Sequence, residues 1–563
     1  MKEKVLFFNP HAGILEHLKI ERDFARLVNQ SGFGIEILRC NGFFKDNCSV
    51  MSAHGIHFQS PTSSKENICS SCRKSDSKSR NFQQGDFLHL EDLLSQTISD
   101  EVYAVMNQIN QDNWAMFQLD GDFIGRFASY EFLLRHKIVG TNIPDVLWEE
   151  LKSDILHYLF TYFLALEWLR KSEYRYVGVY NFLYGVNRAF VIAATKLDIA
   201  TFSIQGNGYL YNLHNSYMVY PTNSDYWYLN KSKKWSSHQN SPIRTLSAFR
   251  VFRHLKYLIS ARSVFTYSSP ARSKSAEKTR EDLRIPYGKQ VHLLTTSSAD
   301  ELFAFGFVGL LNENFYSNSS VFESTKDWIL NTIEIFSFQP EKFLVVRLHP
   351  REFANKRDSV NSSSGADLVD FLKSQKLPDN VIINLPEDKI SLYDLAPITE
   401  LLINSTSTVG VEFAALGVPS ICVSPNTISA YPPDISTSIH SKEEYLGALS
   451  ESRSRKKMTT RMFAYRWMVF KHESCSIKIP LIYVLFDRLY FGALGRFLVR
   501  FPVLGSSVNM GTNTVYRILN LFDRRRLKDF NTILDYKAPK SKTSFREKLL
   551  LSSLEFFWKH QKK

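Results

Sequence analysis

"LLINSTSTVGVEFAALGVPSICVS", residues 401–424, decides the fold. An apolar run of strand length ends at Asn404, four hydroxyl residues follow (Ser405, Thr406, Ser407, Thr408), and Val409 to Leu416 read as a helix. "PSICVS" then starts a second apolar run. Two apolar strands flanking a helix make a βαβ unit of a parallel sheet covered on both faces. A second stretch, "KFLVVRLHPREF" (342–353), ends in the same way. Proline cannot donate to a ladder, so Pro350 is predicted to stop the strand and leave His349 at its tip, with Arg351 and Glu352 exposed beyond.

Working outward, "KQVHLLTTSSADELFAFG" (289–306) opens a series that continues through a helix near 323–337, the strand of 342–348 and a helix near 365–375. "NVIINLP" (380–386) and a short helix near 391–396 lead back to the first quoted stretch. The first half begins with "KVLFFN" (4–9), a helix over 14–30 and "GIEILRC" (34–40). It resumes with strand, helix and strand in "EYRYVGVYNFLYGVNRAFVIAATKLDIATFSIQG" (173–206). Alternation of this kind predicts an α/β fold of two doubly wound domains. The expected boundaries are 1–245, 286–440, connecting helices in 246–285 and a helical basic region over 441–563.

With 563 residues the chain exceeds a single core, and 44% hydrophobic with 22% charged residues is ordinary for a globular protein. The longest apolar run near the end, "IPLIYVLF", is far below the roughly 20 residues a spanning helix needs. "MKEKVLFFNPHAG" lacks the apolar core of a signal peptide, so a cytoplasmic location is expected. Charge is unevenly distributed. From Arg453 onward there are 24 Lys/Arg against 7 Asp/Glu, a surplus larger than the whole chain's +13. Arg interrupts Leu, Phe and Tyr in "FDRLYFGALGRFLVRFPVLG" and "VYRILNLFDRRRLKDF", a pattern suited to an anionic membrane surface. No nucleic-acid-binding motif accompanies it, so no nucleic-acid partner is expected.

In open parallel sheets ligands bind beyond the carboxyl ends of the strands. Three loops of the second series are predicted there. Ser405, Thr406, Ser407, Thr408 and Gly410 offer hydroxyl and backbone donors at a helix start, which suits a phosphate. His349, with Arg351 and Glu352, forms the second loop, where an imidazole can donate to a phosphate or stabilise a departing one. Ser297, Ser298 and Glu301 form the third, which equally fits a capping box. In the first half, Asp120 and Asp122 of "QLDGDFIGR" are the candidate acceptor-activating carboxylates. Arg126 and Gln205 are candidate acceptor contacts.

These stretches, with "DKISLYDLAPITE", "AYPPD" and "AYRWMVF", resemble bacterial capsule and surface polysaccharide biosynthesis proteins of the GT-B glycosyltransferase type. The resemblance covers roughly residues 290–470, and "GDFIGRFASYEFLLRHK" extends it into the first half. It implies two Rossmann-like domains with a cleft between them. The donor's nucleotide phosphate would lie on His349 and Ser405–Thr408, with Glu412 at the donor ribose. The implied activity is sugar transfer from a CMP-, CDP- or UDP-linked donor to a lipid-linked or polymeric surface glycan, with no metal in catalysis, at the inner face of the plasma membrane. The alternatives are a CDP-linked polyol-phosphate transferase and a non-catalytic scaffold of a polysaccharide assembly complex.

Four cysteines are spaced Cys40-x7-Cys48-x20-Cys69-x2-Cys72, with His54 and His57 among them. This meets the ligand count of a structural zinc site that would staple a polar segment, about 40–84, inserted in the first domain.

Overall fold

The structure is a computed structural model, described here for residues 3–80, 85–206, 209, 216–222, 235–236, 238–260, 274–309, 321–354, 360–405, 407–424, 431–450, 458–473 and 476–478. The strands, in chain order, are β1 (Lys4–Phe8), β2 (Gly34–Arg39), β3 (Asp86–His89), β4 (Gln118–Leu119), β5 (Asp122–Phe123), β6 (Tyr176–Tyr180), β7 (Ala200–Gly206) and β8 (Ser216–Pro221). They continue with β9 (Gln290–Thr295), β10 (Lys342–Arg347), β11 (Val381–Asn384), β12 (Thr399–Asn404), β13 (Ser420–Cys422), β14 (Thr437–Ser438) and β15 (Ser476–Lys478).

The first sheet has the order β15-β8-β7-β6-β1-β2-β3 and the second β11-β10-β9-β12-β13-β14. The second is parallel throughout. In the first, β8 alone is reversed, pairing antiparallel with β7 on one side and with the edge strand β15 on the other. Counted within each unit, the second sheet follows the strand order 3-2-1-4-5-6 of the Rossmann fold and the first the same order with β15 added as a seventh, edge strand; the order turns back between the first and fourth strands. Those switch points fall between β1 and β6 and between β9 and β12.

Period-two alternation explains why each sheet is covered on both faces. Leu6, Phe8, Leu38, Val177 and Val179 point into one core. Val5, Phe7, Ile35, Ile37, Phe202 and Ile204 point into the core on the opposite face, beneath the Leu15–Gln30 helix. In the second sheet Leu294, Leu344, Val346, Leu401 and Ile403 fill one core, and Val291, Leu293, Phe343, Val345 and Leu402 the other.

The segment after Cys40 differs from the expected insertion. Ser49–Ala53 and Thr62–Arg80 are helical, and the second of these is the crossover that brings β3 parallel to β2. Its anchor is electrostatic. Buried Arg39, at the end of β2, donates through Nε to Asp76 on the helix at 2.8 Å and pairs with Glu21 at 3.0 Å. Cys40, Cys48, Cys69 and Cys72 line one pocket as free thiols, and burial raises the pKa of each. Among the described residues, no group of three or more His, Cys, Asp or Glu is arranged to hold a metal ion. His54 and His57 are exposed.

No described helix is long and apolar enough to cross a membrane. Most of the basic region, from residue 479 on, lies outside the described residues.

Candidate functional site

The second sheet's carboxyl edge is knitted together at its switch point. Thr295, the last residue of β9, donates its hydroxyl to Asn404 Oδ1 at the end of β12, at 3.2 Å. Thr296 receives the backbone N–H of His349 on its hydroxyl at 2.9 Å and donates its own N–H to Arg347 O at 3.1 Å. His349 and the hydroxyl loop thus lie on the same edge, flanking β9, two strand spacings or about 10 Å apart.

His349 is held in one tautomer. Its Nδ1 accepts the N–H of Arg351 at 3.3 Å, so the ring proton sits on Nε2. Burial lowers its pKa to about 4, with Arg351, Arg347 and Lys137 adding to that effect against the opposing charge of Asp300. The imidazole is therefore a neutral hydrogen-bond donor at pH 7.

The hydroxyl loop is structured from below. Asn404 donates to Ser407 O at 3.3 Å and to the Tyr431 hydroxyl, which in turn donates to Ser407 O at 2.9 Å. Ser405 pairs with Ser424 at 3.2 Å, and its carbonyl accepts from Cys422 Sγ. Val409 N–H reaches Ser407 Oγ at 3.4 Å, and Thr408 donates to Glu412 at 2.9 Å. Thr406 lies outside the described residues. Gly410 lies against Tyr431, where a Cβ would stand 2.3 Å from the phenolic oxygen. Glu412 is buried, accepts from Tyr393 at 2.8 Å, and has its pKa raised by burial.

Arg351 and Glu352 are not exposed, contrary to the sequence expectation: they retain 6% and 5% of their accessible surface. Arg351 binds buried Asp300 at 2.7 Å, lies 3.5 Å from Glu301, and reaches across to Leu134 O at 2.8 Å. Glu352 accepts the N–H of Ala299 at 2.7 Å. It thereby takes the capping role that Ser298 would have filled, and the Ser298 hydroxyl turns to Asp300 instead. Ser297 is half-buried beside it.

Leu134 belongs to the Tyr130–His136 helix of the first half, and this helix lies between the two carboxyl edges. On one side Glu131 accepts the N–H of Gly185, the first residue of the helix after β6, at 2.6 Å. On the other, Lys137 donates to Phe353 O at 3.0 Å and to Val360 O. The Ala299–Phe307 helix packs alongside through the Tyr130–Phe305 ring contact, and its Phe307 meets Trp114, which precedes the β4–β5 hairpin. The first sheet's own switch point carries rings. His17 stacks on Tyr180 with centroids 3.7 Å apart, and His11, 2% exposed, lies 5.7 Å from Tyr184. Burial lowers the pKa of His11 to about 4, and burial together with neighbouring His11 holds that of His17 well below the ordinary histidine value. Gln205 at the end of β7 donates to Asn181 at 3.3 Å.

The remaining first-half candidates stand elsewhere. Asp120 and Asp122 occupy the β4–β5 turn and lie 3.8 and 2.9 Å from Lys196. Lys196 ends the 12-residue helix that starts at Gly185, and the charge of Asp122 is also felt by Arg188 in the first turn of that helix. Arg126 stacks on Phe123 at 3.9 Å and donates to Ala115 O. Sequence reasoning missed Thr295, Thr296, Asn404, Tyr431 and Lys137. "AYPPD" held the one local signal, two prolines fixing the backbone after Tyr431.

No family model matches the chain, and no curated protein does. Solved structures similar to it include the β-Kdo 2,4 transferase of Thermosulfurimonas dismutans KpsC, at 15% identity over 52% of this chain and 80% of that one, with a TM-score of 0.31. The UDP-GlcNAc 2-epimerase of Neisseria meningitidis shows 11% identity over 83% and 98%, at 0.29. A glycosyltransferase of Rickettsia africae ESF-5 shows 11% over 87% and 97%, also at 0.29. At these scores the fold rests on the chain's own strand order.

Proposed function

We propose that this chain is a GT-B glycosyltransferase that moves a sugar from a CMP-, CDP- or UDP-linked donor to a lipid-linked or polymeric surface glycan. The observation that carries this is the switch-point edge of the second sheet, where a tautomer-locked neutral imidazole and a hydroxyl loop flank one strand. In the reaction the bond between the anomeric carbon and the phosphate oxygen breaks, and the nucleotide leaves with the electron pair. The acceptor oxygen bonds to that carbon and its proton passes to a base. His349 Nε2–H and the donors of residues 405–408 would meet the charge growing on the departing phosphate, the preorganised stabilisation that contributes most in such sites. Asp120 and Asp122 are both paired with Lys196, and the base is sought among them and the groups on the facing edge of the first sheet. The basic region from Arg453 would hold the enzyme at the inner membrane face, near a lipid-linked acceptor.

Thermal unfolding of the full chain with CMP, CDP, UDP and GDP tests the reading. One nucleotide is expected to raise the melting temperature in wild type and to do so less in His349→Ala. Equal indifference to all four would overturn it.

A further inference from the structure

We infer that the outward face of the Thr245–Ile259 helix docks on an anionic lipid surface. The helix reads TLSAFRVFRHLKYLI and contains no acidic residue. Its inner face is used: Ala248, Val251 and Leu255 pack into an apolar core with the Met458–Glu473 helix, and Leu258 enters the neighbouring core. The outer face is a single stripe at steps of three, four and three residues: Leu246, Phe249, Arg253 and Lys256, all exposed, with Arg244 exposed just before the helix.

Two features separate this stripe from an ordinary solvated face. Leu246 and Phe249 keep 59% and 48% of their surface exposed on adjacent turns. Solvated faces intersperse both signs of charge, whereas the helix's own residues on this face are exposed apolar side chains and cations. The nearby carboxylate Glu473 is turned to the flank, where it accepts from Ser247 at 2.9 Å and pairs with Arg250 at 3.2 Å. A helix that presents Leu and Phe among Lys and Arg sits in the plane of a bilayer interface, its rings at the headgroup boundary and its cations on anionic headgroups.

Position in the chain favours a lipid surface over another protein as the occupant. The helix packs against Met458–Glu473, which begins a few residues into the stretch, from Arg453 on, that carries the chain's surplus positive charge. The stripe therefore stands beside the point from which the basic, aromatic region departs, so that one membrane could receive both. The inference goes beyond the transfer reading and requires none of its chemistry.

The test is flotation of the full chain with phosphatidylcholine vesicles containing or lacking about one-third phosphatidylglycerol. Wild type is expected to float with the anionic vesicles only. Leu246→Ser/Phe249→Ser and Arg244→Glu/Lys256→Glu should each weaken that binding by about tenfold or more, given the attraction of each cation to an anionic surface. Melting temperature and nucleotide response should be unchanged, since all four side chains face outward. Binding by both double variants equal to wild type would overturn the inference, leaving the basic region to act alone or to cover this face itself. Equal binding to neutral vesicles, or none to either kind, would also overturn it. Because nucleotide response is read in the same samples, loss of vesicle binding alone leaves the transfer reading standing, and loss of nucleotide response alone leaves the docking face standing.

Discussion

The two carboxyl edges share one strand order and differ in chemistry. At the second, threonine and asparagine side chains tie strand ends together, so that β9, β10 and β12 finish in a hydrogen-bonded rim bearing His349 and the hydroxyl loop. At the first, the corresponding position between β1 and β6 holds stacked rings, His17 on Tyr180 and His11 near Tyr184. A rim rich in donors suits a phosphate; aromatic faces and neutral imidazoles suit the faces of a sugar or another uncharged group. A strand order used twice therefore need not repeat a site: the same topology offers two edges, and the side chains at the strand ends decide what each holds.

The sharpest way to break the comparison is to cut the tie between the edges. Arg351→Ala leaves Asp300 buried without its cation and removes the bond to Leu134 O. Losing one partner of a buried pair costs about 3–5 kcal/mol, so chemical denaturation should show a fall of that order. A fall below about 1 kcal/mol would mean that the edges are not held by this contact. His349→Ala comes next and acts on turnover. Removing one preorganised donor lowers rates by about 10²–10³-fold, whereas loss of the Nδ1 bond should lower stability by only about 1 kcal/mol. Turnover with the nucleotide sugar that binds, set against melting temperature, separates the two. His349→Asn, which keeps a neutral donor, should recover part of the rate.

How much of this was legible follows from where the information lies. Strands such as 342–347 and 399–404 declare themselves because a two-sided parallel sheet needs uninterrupted apolar runs, and His349-Pro350 and Ser405–Thr408 are contiguous in the chain. Burial of Arg351 was not legible, since its partner Asp300 lies fifty-one residues away and only the fold brings them together. Lys137 is the extreme case, a lysine 1% exposed whose carbonyl partners belong to the loop that follows His349. The polar Cys40–Gln84 stretch misled because its helix is held by the Arg39–Asp76 bond and not by apolar periodicity. Asp120 and Asp122 were legible as carboxylates at a glycine turn, whereas their shared partner Lys196, more than seventy residues on, is brought to them only by the fold.

A smaller perturbation probes the floor of the hydroxyl loop. Gly410→Ala would drive a methyl into Tyr431, whose hydroxyl supports Ser407 O. Overpacking of this kind costs about 1–3 kcal/mol, and the displaced loop should weaken nucleotide binding measured by calorimetry. Tyr431→Phe combined with Gly410→Ala should restore little, because the ring remains. An unchanged nucleotide affinity would remove the loop from the donor side and narrow the difference between the edges to His349.

On one point the two edges agree, and the smallest expected effect lies there. Burial lowers the pKa of both His11 and His349 to about 4, against about 6.5 for an unfolded histidine. Between those values the unfolded chain binds more protons than the folded one, so stability is fully present above pH 6.5 and is lost as pH falls toward 4. Each group contributes at most roughly 1.4 kcal/mol per pH unit in that window. His349→Asn removes one of the two, so its unfolding free energy should fall less steeply than wild type's from pH 6.5 to 4.5 and run parallel to it from 7 to 8. Parallel curves throughout would mean that His349 titrates normally and is open to water. The second rim would then be a wet surface carrying an ordinary histidine, and the contrast with the buried rings of the first sheet would become one of solvent access and no longer one of side-chain chemistry.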